Sequence, residues 1–105
     1  MRQRGLATVL LLSGLAACTT PASKPEALIG LTAPALQETL GPPQRIRREA
    51  TAEIWQYNAA RCVLDIFLYR DAGAPQVLHV EARDLQGRQA NTGDCVALVE
   101  TAANS

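Results

Sequence analysis

The chain has 105 residues, 48% of them hydrophobic, and its 10 Lys and Arg are matched by 10 Asp and Glu. That balance argues against a nucleic-acid partner, which requires a strongly basic face. The length leaves room for one small domain with one core.

At the front, Arg2 and Arg4 precede an apolar run from Leu6 to Ala17, too short for the roughly 20 residues of a spanning helix. Cationic residues, an apolar stretch, then the small residues Ser13, Gly14, Ala16 and Ala17 follow the order of a signal peptide. Cys18 comes next, so that Leu15-Ala16-Ala17-Cys18 resembles a bacterial lipobox. The resemblance implies a diacylglyceryl group on Cys18, cleavage after Ala17 and acylation of the new amino group. Residues 1–17 are then lipoprotein signal peptide. Several acyl chains on one residue hold a protein at its membrane, where a single chain does not.

Residues 18–25 form a lipidated tether, because Thr19-Thr20-Pro21-Ala22-Ser23-Lys24-Pro25 is small, polar and proline-rich. At about 3.1 Å per residue it spans on the order of 20 Å. Thr19 resembles the residue after the lipidated cysteine of outer-membrane lipoproteins, which implies an outer-membrane location on the periplasmic face.

The folded domain is expected over residues 26–105. Glu26-Ala27-Leu28-Ile29 predicts a helical turn stopped at Gly30. Thr32 is a good N-cap for a second helix, Leu36 and Leu40 share a face at i and i+4, and Gly41-Pro42-Pro43 ends it. Neither helix is long enough to stand alone, so both need a sheet to pack on.

That sheet is signalled by period-two alternation. Gln44 to Glu49 reads as an edge strand with Ile46 and Arg48 on one face and Arg45 and Arg47 on the other. Glu53 to Tyr57 puts Trp55 and Tyr57 on one side, and Asn58 to Arg61 is the loop that turns the chain back. From Cys62 to Tyr69, the set Cys62, Leu64, Ile66 and Leu68 faces the core while Val63, Asp65, Phe67 and Tyr69 form a mixed second face. After a turn at 70–75, Val77 to Arg83 is read with Leu78, Val80 and Ala82 inward and His79, Glu81 and Arg83 outward. Cys95 to Glu100 fits a terminal helix capped by Thr92 or Asp94, with a fifth strand as the alternative. The expected fold is α+β: two short N-terminal helices on a three- to four-stranded antiparallel sheet, with a short C-terminal helix.

Cys18 is taken by lipid, leaving Cys62 and Cys95, an even number in an exported chain. Pairing them as a disulfide is expected in an oxidising compartment. A metal site with His79, the only histidine, lacks a fourth ligand and close ligand spacing. No metal and no cofactor beyond the lipid on Cys18 is expected.

Leu28-Ile29-Gly30-Leu31-Thr32, Leu36, Leu40-Gly41-Pro42-Pro43 and Glu53-Ile54-Trp55-Gln56-Tyr57 together are similar to the SmpA/OmlA family. These are small lipoproteins of the outer-membrane β-barrel assembly machinery; related small proteobacterial lipoproteins share the Trp-Gln-Tyr and Cys-Val-Leu-Asp strands. The resemblance implies a helix-helix-sheet domain and a role in envelope protein assembly.

For catalysis the sequence offers one grouping, His79 beside Glu81 with Asp65 on the neighbouring strand. Alternating polar residues on a solvated sheet face account for it as well. Arg45, Arg47 and Arg48, with Trp55 and Tyr57, are the candidate partner surface, facing envelope proteins or anionic lipid headgroups. An aromatic patch of Trp55, Tyr57, Phe67 and Tyr69 is a further expectation. The resulting expectation is a non-catalytic, lipid-anchored scaffold or accessory in envelope protein assembly. Its rivals are a periplasmic binding or inhibitor-like module and a small hydrolase.

Overall fold

The computed structural model describes residues 24–71 and 73–104. The expected signal peptide, Cys18 and the expected tether up to Ser23 lie outside the described residues. Elements run α1 (Pro25–Leu28), α2 (Ala33–Leu40), β1 (Arg45–Glu49), β2 (Ala52–Asn58), β3 (Cys62–Tyr69), β4 (Gln76–Asp84) and α3 (Thr92–Ala103). The four strands form one antiparallel sheet in chain order, so the domain is α+β.

Local chemistry sets the helix ends. Thr32 Oγ1 accepts the Ala35 N–H at 3.4 Å at the start of α2, and Gly41 with φ 81° ends it in a conformation that suits glycine. α3 is capped by Asn91, whose Oδ1 accepts the Asp94 N–H at 2.8 Å. Thr92 and Asp94 therefore sit inside the first turn instead of capping it, with Asp94 placed favourably against the helix dipole. The helix also runs past Glu100 to Ala103.

All three helices lie on one face of the sheet. Leu28, Leu36, Leu40, Val96 and Val99 from the helices meet Trp55, Tyr57, Leu64, Ile66, Leu68, Val77 and Ala82 from the strands. The inward set of β3 is the expected one. In β4 Val80 and Ala82 face inward as expected but Leu78 does not, because a bulge between Phe67 and Leu68 of β3 pairs Phe67 with His79 but Leu68 with Val77. One residue of β4 is skipped, so Val77 is fully buried and Leu78 is 52% exposed. Alternation read straight through Leu78 misses this shift of phase.

A disulfide joins Cys62, at the start of β3, to Cys95 in the first turns of α3, with Cα atoms 6.0 Å apart. It closes a loop of sequence separation 33, worth about 3 to 4 kcal/mol on the chain-entropy model.

Candidate interaction surface

The face of the sheet away from the helices carries cross-strand rows set by register. One is Arg47, Ile54, Phe67, His79 and the next is Arg45, Gln56, Asp65, Glu81. Ile54 lies between Arg47 and Phe67 and is only 2% exposed. The Asp65 Oδ2 accepts from Arg83 Nη1 at 2.7 Å, while Oδ1 is buried with no hydrogen-bond partner among the described residues. His79 Nε2 lies 2.9 Å from Glu81 Oε2, and its ring sits 5.2 Å from that of Phe67.

The structure thus brings His79, Glu81 and Asp65 onto one face, as expected. Each is already engaged: Asp65 by Arg83, and His79 with Glu81 as an exposed pair. The Asp65–Arg83 bridge was not foreseen, although both residues alternate onto the same side of adjacent strands. A polar hollow of about 410 Å³ beside the outer edge of β4 is lined by His79, Glu81 and Arg83 with Gly87, Gln89 and Thr92. Among the described residues no group of three or more His, Cys, Asp or Glu is placed to hold a metal ion.

The expected aromatic patch does not form. Trp55 and Tyr57 lie under the helices at 4% and 2% exposure, whereas Phe67 and Tyr69 are half-buried on the opposite face. Period-two alternation in β2 and β3 with their observed register requires this split. Trp55 and Tyr57 are therefore core residues, not parts of a surface. Trp55 Nε1 donates to Glu53 Oε1 at 2.7 Å, and the Tyr57 hydroxyl donates to the Gly41 carbonyl at 2.8 Å. Burial pushes the Tyr57 hydroxyl above its ordinary pKa.

The three arginines of β1 do occupy the surface, at an edge of the sheet. Arg45 and Arg47 face away from the helices and Arg48 faces their side. Arg48 pairs with Glu53 at 3.1 Å and Arg47 with Glu49 at 3.4 Å, whereas Arg45 has no ion-pair partner among the described residues. Between them Ile46 is 46% exposed, opposite Trp55 in the register. Beside it, an open groove of about 600 Å³ runs between α2 and the sheet, lined by Ala33, Pro34, Gln37 and Glu38 with Trp55 beneath. Sequence reasoning missed this groove, since it depends on how far α2 reaches across the sheet.

At the opposite edge, β4 is engaged at both ends. Gly30 N–H donates to Val77 O at 2.7 Å and Val77 N–H to Leu31 O at 2.9 Å. Further along, Ala90 N–H donates to Ala82 O at 3.0 Å and Asp84 N–H to Arg88 O at 2.7 Å. The Asp84 carboxyl is held below the usual carboxylate range, first by the Arg88 backbone N–H, with the Gln86 N–H and the Arg88 guanidinium adding to it. Among the described residues no backbone hydrogen bond reaches the outer side of β1.

Comparison with protein-family models, with curated proteins and with solved structures finds no match. The likeness to the SmpA/OmlA family rests on the sequence pattern alone. No helix among the described residues is long and apolar enough to cross a membrane.

Proposed function

We propose that this protein is a lipid-anchored envelope lipoprotein, held by acyl chains on Cys18 at the periplasmic face of the outer membrane. There it acts as a non-catalytic scaffold or accessory in envelope protein assembly. The observation that carries the reading is Leu15-Ala16-Ala17-Cys18 at the end of a short apolar run. Support comes from helix α1 at Pro25–Leu28, only a few residues along the sequence from that cysteine, so that acyl chains there would keep the domain near the headgroups. A Cys62–Cys95 pair is in keeping with an oxidising compartment. The non-catalytic part rests on Asp65 being tied to Arg83 and His79 to Glu81 on a sheet face, with Asp65 not among the residues that line the hollow beside His79 and Glu81.

The test is mass spectrometry of the native N-terminus combined with membrane fractionation. A chain starting at lipid-modified Cys18 in the outer-membrane fraction is the expected result, and Cys18→Ala should release the protein to the soluble fraction. A native product starting at Met1, or an unmodified thiol at Cys18, would sink the reading.

A further inference from the structure

We propose that the outer edge of β1 is a docking strand for an extended segment of a partner protein in which acidic and apolar residues alternate. The segment adds as a fifth strand. This inference rests on the scaffold reading and gives its partner a chemistry and a place.

Four observations carry it. The outer side of β1 has no backbone partner among the described residues, while loops engage the far edge of the sheet, so the hydrogen-bonding row an added strand needs is at β1. Arg45 and Arg47 project from one face of that edge, and Arg45 is unpaired among the described residues. Residues placed opposite them in a ladder are best acidic. On the other face Ile46 is 46% exposed beside the α2 groove. That groove carries Glu38, and Arg48 is already committed to Glu53, so the residue opposite Ile46 is best apolar and a second acid is disfavoured there. Alternation of acid and apolar side chains satisfies both faces at once.

A second copy of this chain does not fit. In-sheet antiparallel pairing of β1 with itself, centred on Ile46, Arg47 or Arg48, sets at least one arginine against another, and like charges directly opposite destabilise a ladder. A flat anionic membrane fits less well, because the three arginines are divided between opposite faces of the sheet and Glu49 stands among them.

The experiment uses the purified lipidated protein in phosphatidylcholine nanodiscs and a fluorescent Glu-Val-Glu-Val-Glu-Val peptide, read by anisotropy. Binding is expected, weakened roughly 10- to 30-fold by the double substitution R45E and R47E at unchanged Tm, as two reversed cross-strand charge pairs predict. N-methylation of alternate peptide amides should abolish it. Equal binding by Glu-Glu-Glu-Val-Val-Val, or by the methylated peptide, overturns the proposal. In intact cells a photo-crosslinking residue at position 46 should capture a protein segment of the alternating pattern, and capture of lipid alone overturns the proposal. Protein adducts at position 69 but not at position 46 overturn the site and leave the scaffold reading standing. No protein adduct at either position overturns both.

Discussion

Strand β4 closes the sheet with backbone groups engaged at both ends, by Gly30 and Leu31 at one and by Arg88 and Ala90 at the other, whereas among the described residues no backbone bond reaches the outer side of β1. The two edges meet the same hazard, unsolicited pairing with another chain, by different means. At β4 the chain itself covers the edge, using the α1–α2 connection and the loop before α3. At β1 three arginines in five residues repel a second copy. Covering an edge removes it from use, while charging an edge leaves it open to a strand of opposite charge. The difference teaches that β4 is built for stability and β1 for selectivity.

The largest expected effect lies on the covered side, where Cys62 pairs in register with Asp84 and its sulfur bonds Cys95 of α3. Reduction, or C62S with C95S, should lower the unfolding free energy by about 3 to 4 kcal/mol, measured by urea denaturation. A loss below about 1 kcal/mol would show that apolar packing alone fixes α3 and that the asymmetry of the edges has another source.

Next is Arg83, whose guanidinium bridges to the Asp65 carboxylate, a side chain with 8% exposure. R83M should cost about 1 to 2 kcal/mol, less than a fully buried pair because the Arg83 side chain is itself 40% exposed. Adding D65N to R83M should recover most of that loss. No recovery would mean that Arg83 acts through its apolar stem and not its charge.

A smaller effect is expected at Tyr57 of β2. Y57F leaves the Gly41 carbonyl without its 2.8 Å donor, at a cost of about 1 kcal/mol. The wild-type hydroxyl keeps its proton in the folded state above its ordinary pKa, so its contribution is complete below about pH 10 and falls as pH rises beyond it, when the unfolded tyrosine ionises first. Urea midpoints taken between pH 8 and 11 should fall for the wild type more steeply than for Y57F.

Much of this layout is legible in the sequence because the signals are local. Thr32, Gly41 and the alternation of β3 each act over a few residues, and the faces of Arg45, Ile46, Arg47 and Arg48 follow from period two alone. What fails is non-local or phase-dependent. Val77 and Leu78 are both apolar, so nothing in the pattern says which faces inward, and the bulge decides. Trp55 and Phe67 look like one aromatic cluster until the register puts them on opposite faces. The groove lined by α2 and Trp55 depends on how the helix sits over the sheet, which no residue pattern encodes. Asp65 was legible as a polar residue on the outer face, but its burial reflects crowding by neighbours across the strands.

The smallest effect bears most directly on whether the bare edge is held ready. β1 and β2 are joined through Ala50 and Thr51, and Ala50 has φ 55°, a left-handed conformation that costs an L-residue about 1 to 2 kcal/mol. Glycine removes that strain but adds roughly 0.5 to 1 kcal/mol of unfolded-chain entropy. A50G should therefore stabilise by about 0.5 kcal/mol, and because among the described residues β1 pairs only with β2, slower amide exchange at Arg47 to Glu49 is expected while β4 is unaffected. If β4 amides slow equally, the turn is acting on global stability and β1 has no looseness of its own. If β1 alone slows, the edge strand opens independently of the sheet in the wild type, and a partner strand that pairs with it must supply the free energy to keep it closed.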